Sequence, residues 1–147
     1  MSKILLINGP NLNMLGIRNT TMYGSKSLLD INQDVQKAAE KEGISIDFFQ
    51  SNSEGEIIDC IHKSYNAYQG IIINAGAYAH YSIAIRDAIE AVSLPVVEVH
   101  ISNIYSREQF RRHSVLAEVC IGQISGLGCQ GYIYAMDALI RYLKGVN

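Results

Sequence analysis

The chain has 147 residues, a length that suits one domain with a single core. Hydrophobic residues make up 48% of it and charged residues 18%, which is below the average of about 25%, so we expect sister subunits to cover part of its surface. The formal charge of -2 leaves no broad basic face for a phosphate backbone and excludes nucleic acid as the main partner. An anionic ligand must be held by a few local arginines.

The cysteines and the N-terminus indicate a reducing compartment. Cys60, Cys120 and Cys129 form no CxxC pair and lie among apolar neighbours, which predicts buried free thiols. The opening stretch MSKILLINGP lacks the charged region, long apolar region and cleavage site of a signal peptide. No segment approaches the roughly 20 apolar residues of a membrane span. We therefore expect a cytoplasmic protein without membrane contact.

Five apolar runs of strand length follow one another along the chain. They begin at Lys3 (KILLIN), Ile44 (ISIDFF), Gly70 (GIIIN), Pro95 (PVVEVHI) and Val119 (VCIGQIS). Their apolar residues are mostly adjacent and do not strictly alternate with polar ones. Such runs are typical of parallel strands that are covered on both faces of a sheet.

Helical patterns alternate with these strands. We predict helices over residues 27–42, 53–65, 82–92 and about 130–144, with a short turn at 106–112. Gly43 ends the first helix, and Ser53 with Glu56 forms a predicted capping box at the start of the second. The alternation predicts an α/β fold over residues 1–147. We expect a flavodoxin-like three-layer sandwich with a five-stranded parallel sheet in the order 2-1-3-4-5 and helices on both faces.

This fold predicts where a ligand binds. In open α/β sheets the site lies beyond the carboxyl ends of the strands where the strand order reverses, here between strands one and three. The rule nominates Asn8, Asn74 and residues 98–103, together with the loops that follow them. Residues 9–26 form a connection too long for a plain turn and are predicted to be an active-site lid.

The predicted lid carries Asn11, Arg18 and Tyr23. A tyrosine hydroxyl, whose ordinary pKa is about 10, is a poor base at neutral pH unless a guanidinium stabilises its ionised form. Arg18 lies on the same loop, and Arg107 and Arg111 are available from the far side of the cleft. The spacing alone is also compatible with a surface loop that holds a solvated arginine and an aromatic anchor.

Two histidines follow strands three and four. His80 and His100 can point into the same crevice, and Glu98 shares the side of the strand on which His100 lies. A carboxylate beside an imidazole fixes its tautomer and suits a general acid near neutral pH. Neither His62 nor His113 offers a third metal ligand at a sensible spacing, so we expect no metal. Two loop histidines that are merely hydrogen-bonded remain the alternative.

Small and polar residues after the same strands predict an anion site. Asn74 precedes Gly76, and backbone amides at Ile101 and Ser102 could approach a carboxylate, with Arg111 as its counter-charge. Alternatively, Asn74 is a turn former and Arg111 a solvated charge.

Other functions of this fold are less well matched. Gly126, Gly128 and Gly131 spell GxGxxG, but in the last βα unit, where no further strand can bring the acidic partner of a dinucleotide site, so they predict close helix packing. A receiver module would need acidic residues after strands one and three. A flavodoxin would need a Ser/Thr-rich phosphate loop where GPNLN stands.

The sequence resembles type II 3-dehydroquinate dehydratases over essentially its whole length. The motifs that carry the resemblance are INGPNLNMLGIR and Tyr23-Gly24 in the lid, INAGAYAHYSIAIRDA, EVHISN, REQFRRHS and GQISGLGCQGYIYAMDAL. The resemblance implies a hydro-lyase that needs no cofactor and converts 3-dehydroquinate reversibly to 3-dehydroshikimate through an enolate, in the shikimate pathway for aromatic amino acid biosynthesis. Asn19 and Thr20 stand where the family often has Glu-Pro, which is expected to loosen the lid.

The same resemblance implies a role for each candidate residue. Tyr23 accepts the proton next to the ketone, Arg18 stabilises the charges that develop, and His100, paired with Glu98, protonates the departing hydroxyl. Asn11 lies near a water that steadies the enolate oxygen. The implied substrate contacts are Asn74, His80, Ile101, Ser102, Arg107 and Arg111, with Asp87 reaching the site of a neighbouring subunit. Family assemblies are trimers grouped into dodecamers, so a homo-dodecamer is expected.

Overall fold

The sheet has the predicted order. The computed structural model describes residues 2–146. Its strands are β1 (Lys3–Asn8), β2 (Ser45–Gln50), β3 (Gly70–Asn74), β4 (Val96–His100) and β5 (Gly122–Ser125). All four pairings are parallel, and the strands lie in the order β2-β1-β3-β4-β5. The predicted parallel sheet is therefore confirmed.

Residues 2–146 form five α-helices, and the capping box predicted at the third of them is incomplete. They are α1 (Thr20–Tyr23), α2 (Leu28–Lys41), α3 (Glu54–Ser64), α4 (Ile83–Val92) and α5 (Gln130–Leu143). A complete capping box begins α2, where Ser27 and Asp30 each accept the other's backbone N–H. The predicted box at α3 is only half formed. Ser53 accepts the N–H of Glu56, but the Glu56 carboxylate accepts a hydrogen bond from Ser51 instead.

The last strand is shorter than predicted. Residues Ala117–Val119 form a 3-10 turn, and β5 begins only at Gly122. The N–H groups of Val119 and Cys120 donate to the carbonyls of Leu116 and Ala117 at 3.0 and 3.3 Å, which closes a turn in place of pairing with β4. Val119 and Cys120 therefore lie in a turn and not in the sheet.

The two faces of the sheet carry separate cores. Alternate residues of a strand point to opposite faces. Ile4, Leu6, Ile72, Val97 and Val99 pack under α2 and α5, whereas Leu5, Ile7, Ile71, Ile73 and Val96 pack under α3 and α4. The polar residues at the strand ends continue this alternation. Asn8 and Asn74 point toward the α5 side, and Glu98 and His100 point toward the α4 side.

The strand order reverses between β1 and β3, where the chain leaves the sheet at Gly9. Asn8 and Asn74 are partners in the register, and the N–H of Gly9 donates to the Asn74 carbonyl at 2.7 Å. A Cβ at Gly9 would lie 2.5 Å from the Ala75 carbonyl oxygen, so only glycine allows this close approach. Beyond this contact the segments that follow β1 and β3 separate and open a crevice.

The cysteines are less buried than predicted. Cys60, Cys120 and Cys129 are free and only partly buried at the margins of the two cores. Burial raises the pKa of Cys60 to about 11 and that of Cys120 to about 12, so both are thiols at neutral pH. Across residues 2–146, no helix combines the length and the apolar character that a membrane span requires.

Candidate active site

A cleft lies over the carboxyl ends of β1, β3 and β4, where the fold predicts a ligand. The predicted residues that line it are Asn11, Arg18, Tyr23, Asn74, His80, His100, Ile101, Ser102, Arg107 and Arg111. It encloses about 120 Å³, well below the roughly 300–1,000 Å³ of pockets for drug-sized ligands. The cleft therefore suits a small metabolite.

Tyr23 lies on the lid side of the cleft between two arginines. It is the last residue of the one-turn helix α1. Its hydroxyl accepts hydrogen bonds from Arg107 Nη1 at 2.7 Å and from Arg18 Nη2 at 3.2 Å, and the Arg18 guanidinium lies 4.4 Å from the ring centroid. Two guanidinium donors on one phenol oxygen stabilise negative charge there, which is the environment that a tyrosine base requires.

Contacts that the sequence did not predict hold the base of the lid. The Gln50 side-chain amide donates to the Gly9 carbonyl at 3.1 Å, and the N–H of Asn11 donates to Asn52 Oδ1 at 3.0 Å. Asn11 itself has a φ of 69°, in the left-handed region that asparagine tolerates better than most residues. Leu12 and Leu15 are buried in the core beneath. The start of the predicted lid is thus fixed to the sheet and to the core near Asn11.

His100 and Glu98 form a buried pair at the end of β4. His100 Nε2 lies 2.5 Å from Glu98 Oε2, and the carboxylate is fully buried. Burial alone raises the pKa of Glu98, but the hydrogen bond and charge of His100, together with Ser114, outweigh it and leave that pKa below its usual value. An ionised carboxylate can only accept hydrogen bonds, so Nε2 carries the proton between them. Nδ1 is therefore the ring nitrogen available to the cleft.

His80 lies beside His100 but has a different hydrogen-bond partner. The two rings stack with centroids 5.9 Å apart, and His80 Nδ1 donates to the His113 carbonyl at 2.9 Å. Burial, and then the charges of His100 and Arg111, lower the pKa of His80, so its ring is neutral at neutral pH. Its Nε2 is consequently an acceptor, which fits a substrate hydroxyl.

Asn74 is oriented by a tyrosine that sequence reasoning missed. Tyr132 on α5 is fully buried, and its hydroxyl donates to Asn8 Oδ1 at 2.6 Å and accepts from Asn74 Nδ2 at 2.9 Å. Asn74 Oδ1 accepts the N–H of Gly76 at 3.1 Å. The side-chain amide of Asn74 therefore has one fixed orientation and keeps one N–H free. Tyr132 was not predictable because its position in a helical apolar pattern resembles that of any core aromatic residue.

The glycine motif has a packing role, as predicted. Gly126 has a φ of 88°, and a Cβ there would lie 2.8 Å from the Asn103 Cβ. Gly131 is buried in α5 against Ile124 and Val99. The tight turn and the close packing bring the first turn of α5 under the sheet, and Tyr132 with it.

Two candidate substrate contacts, Asp87 and Arg111, are not placed to bind a substrate in this single subunit as it stands. Asp87 is exposed on α4 and does not line the cleft, so its contact with substrate stays a prediction that needs a second subunit. Arg111 lines the cleft but pairs with Glu108 at 2.5 Å. Among residues 2–146, no three His, Cys, Asp or Glu side chains are grouped as metal ligands would be.

Comparison with known proteins agrees with this geometry. Residues 2–140 match the family model for dehydroquinase class II. The chain is 57% identical to a 3-dehydroquinate dehydratase of Halothermothrix orenii, over 98% of this chain and 97% of that protein.

Solved structures agree as well. The crystal structure of a type II dehydroquinase from Butyrivibrio crossotus matches with a TM-score of 0.93 and 50% identity, covering 95% of this chain and 97% of that one. That of the type II dehydroquinase from Propionibacterium acnes matches with a TM-score of 0.91 and 38% identity, covering 95% and 96%. The chain belongs to the class II dehydroquinase family.

Proposed function

We propose that the chain catalyses the reversible dehydration of 3-dehydroquinate to 3-dehydroshikimate, by anti elimination through an enolate, in the shikimate pathway. The observation that carries the proposal is the Tyr23 hydroxyl held by Arg18 and Arg107 across the cleft from the buried His100–Glu98 pair. A base and an acid on opposite sides of a small cleft are what an anti elimination needs. The names of the relatives support the same reaction.

The first step is proton abstraction by Tyr23. In its phenolate form the oxygen takes the proton from the carbon next to the ketone, and the C–H electron pair moves onto the carbonyl oxygen to form an enolate. Arg18 and Arg107 stabilise the phenolate before the transfer, and Arg18 lines the cleft near the charge that develops. Asn11 also lines the cleft, where a water held by amides would steady the enolate oxygen.

The second step is proton donation by His100. The enolate re-forms the carbonyl, and its carbon–carbon electron pair moves to form the new double bond next to the ketone. The carbon–hydroxyl bond breaks as this double bond forms, and a proton from His100 Nδ1 converts the departing hydroxyl to water. Because Glu98 holds the Nε2–H, donation from Nδ1 requires the doubly protonated ring, and the Glu98 carboxylate stabilises that cation. Tyr23 and His100 then return to their starting states by exchanging protons with solvent.

The remaining lining residues bind the substrate in this proposal. Asn74 offers its free N–H, His80 its Nε2 lone pair, and Ile101 and Ser102 their backbone at the end of β4. Arg111 provides the counter-charge for the substrate carboxylate when its side chain leaves Glu108. Arg107 serves both purposes, because its Nη1 contacts the Tyr23 hydroxyl and the Ser102 hydroxyl.

We also propose the assembly and the location that the family resemblance implies. A dodecamer built from trimers would bring Asp87 of one subunit to the cleft of its neighbour, and exposed apolar side chains such as Tyr81 and Phe110 are available to subunit contacts. A light-scattering mass near that of 12 subunits tests the assembly. Cell fractionation tests the cytoplasmic location.

The decisive experiment follows the absorbance of the conjugated enone product near neutral pH after 3-dehydroquinate is added. Wild-type protein is expected to be active, and Tyr23→Phe is expected to lose about 10³-fold in kcat because it has no proton acceptor. Tyr65→Phe, at an exposed tyrosine on the surface, is the matched control and should retain full activity. An inactive wild type contradicts the proposed function, and an active Tyr23→Phe variant contradicts the role of Tyr23.

A further inference from the structure

Ser114 lies directly beneath the His100–Glu98 pair, in the segment that precedes β5. It is buried, and its Oγ lies 2.7 Å from Glu98 Oε2 and 2.9 Å from Glu98 Oε1. On its other side, Oγ accepts the N–H groups of Leu116 and Ala117 at 3.1 and 3.2 Å. Four polar contacts thus converge on one hydroxyl that does not line the cleft.

These contacts determine the direction in which the Ser114 proton points. A serine hydroxyl has one proton and two lone pairs. The lone pairs accept the N–H groups of Leu116 and Ala117, so the proton is directed at Glu98. Ser114 therefore acts as a donor to the carboxylate, and a donor of this kind favours the ionised form.

The segment around Ser114 is itself held in place. The N–H of Val115 donates to the Ala79 carbonyl at 2.8 Å, and Arg86 Nη1 donates to the Val115 carbonyl at 2.9 Å. The preceding carbonyl, that of His113, accepts the hydrogen bond from His80 Nδ1. One short segment therefore contacts both histidines of the cleft, His80 through a backbone carbonyl and His100 through Ser114 and Glu98.

We propose that Ser114 is a positioning residue for the dehydration. Its hydroxyl keeps Glu98 ionised and in one orientation, so that Glu98 retains the Nε2–H of His100 and Nδ1 faces the substrate. This inference rests on the proposed function above. Ser114 touches neither the substrate nor the reacting atoms, and it acts only through Glu98.

Three titratable groups face Glu98 from the elements around it. They are His100 on β4, His80 after β3 and Cys120 before β5. Burial raises the pKa of Cys120 to about 12 and lowers that of His80, so both are uncharged at neutral and weakly alkaline pH. A loss of activity over that pH range therefore does not come from the ionisation of either group.

The kinetic test compares pH profiles. Ser114→Ala is expected to lower kcat about 10- to 100-fold with KM within about twofold, and to move the alkaline limb of the kcat profile down by about one pH unit, because a displaced Glu98 no longer stabilises the doubly protonated proton donor. Ser114→Thr, which keeps the hydroxyl, should restore both. A loss of the same proportion at every pH, or an unmoved alkaline limb, overturns the proposal.

A matched control separates positioning from folding. Ser82 is also buried, and its hydroxyl donates to the Glu54 carboxylate and accepts the N–H of Ile85, but it does not line the cleft. Ser82→Ala should lower the midpoint of thermal unfolding and leave the alkaline limb in place. If Ser114→Ala does not fold, Ser114→Cys keeps the shape with a weaker donor, and its alkaline limb is expected below that of wild type; an unmoved limb in this variant overturns the proposal.

A second readout does not depend on turnover. In protein labelled with ¹⁵N-histidine, the His100 Nε2–H proton, identified by its loss in His100→Asn, should give a far-downfield, slowly exchanging signal in wild type. The signal should broaden or move upfield in Ser114→Ala and persist in Ser114→Thr. An unchanged signal in the alanine variant overturns the positioning role, whether or not 3-dehydroquinate proves to be the substrate. Wild-type protein inactive on 3-dehydroquinate overturns only the proposed function.

Discussion

The two halves of the cleft are built in different ways. The proposed proton donor, His100, lies at the end of a central strand, where it is 5% exposed, Glu98 0% and Ser114 8%. The proposed proton acceptor, Tyr23, lies on the predicted lid, in a one-turn helix with no buried residue. The donor depends on a chain of buried hydrogen bonds, whereas the acceptor depends on two arginines that contact it directly.

The difference follows from what each group must do. In the proposed mechanism the histidine acid needs a fixed partner, and β4 supplies it because the backbone of Glu98 pairs with both neighbouring strands. The proposed base lies on the long connection after β1, outside the sheet, where side-chain contacts from Arg18 and Arg107 hold its hydroxyl. Arg107, which lies on the fixed side of the cleft, links the two halves when it contacts Tyr23.

Hydrogen exchange offers the largest expected contrast between the two halves. Amides of Val97–Val99 in β4 are expected to exchange at least about 10³-fold more slowly than those of residues 20–24, because the strand opens only with the core while α1 opens locally. Exchange followed by NMR or mass spectrometry gives both rates. Equal protection in the two regions would show that the lid is a rigid part of the domain.

The arginines of the acceptor side offer the next contrast. Arg18→Ala and Arg107→Ala are each expected to lower kcat about 10²-fold with a smaller change in KM, because both stabilise charge on the Tyr23 oxygen. Steady-state kinetics and the double variant, whose loss should be less than the product of the two, measure this. Arg112→Ala, at an exposed arginine, is the control. An effect on KM alone would make these residues substrate anchors.

A smaller effect, on stability, is expected when the hydrogen bond that orients Asn74 is removed. Tyr132→Phe removes the hydroxyl that pairs with Asn8 and Asn74 and should lower the free energy of unfolding by about 1–3 kcal/mol, since both amides are buried. Urea denaturation measures the loss. Tyr134→Phe on the same helix is exposed and should change stability by less than about 0.5 kcal/mol. Equal stabilities would rule out a structural contribution from the hydroxyl.

The smallest expected effect is on the pH dependence of stability. Because the pKa of Glu98 is lowered in the folded chain, the unfolded chain binds its proton first as the pH falls. The contribution of Glu98 is therefore complete above the usual glutamate pKa and is lost as the pH falls through the folded value. Urea midpoints should fall more steeply below about pH 4.5 in wild type than in Glu98→Gln. Parallel curves would contradict this.

The fold was largely predictable from the sequence because it depends on local patterns. Continuous apolar runs and alternating helical segments determine the parallel sheet, and the strand-end rule places the crevice near Asn8, Asn74 and His100. The predicted start of β5 was wrong because the N–H groups of Val119 and Cys120 donate to the carbonyls of Leu116 and Ala117 and not to β4, and such a local turn leaves no periodic signal.

The site was predictable only where a residue type suggests chemistry. Tyr23, Arg18 and His100 were singled out on that ground, but their roles came from the family resemblance. Tyr132 and Ser114 could not be found this way, because a tyrosine in an apolar helix and a serine after a charged stretch are common, and their contacts are with residues 58 and 16 positions away. The share of Arg107 in holding the Tyr23 oxygen likewise depends on a contact across 84 residues.

The contact at Gly9 limits how this enzyme can be re-engineered. Any side chain there would collide with the Ala75 carbonyl and push apart the two strand ends that carry Asn8 and Asn74. Laboratory evolution toward other hydroxy-ketone substrates should therefore leave this position unvaried. Libraries are better directed at the exposed lid positions around Ile17 and Met22, which lie outside the packed cores.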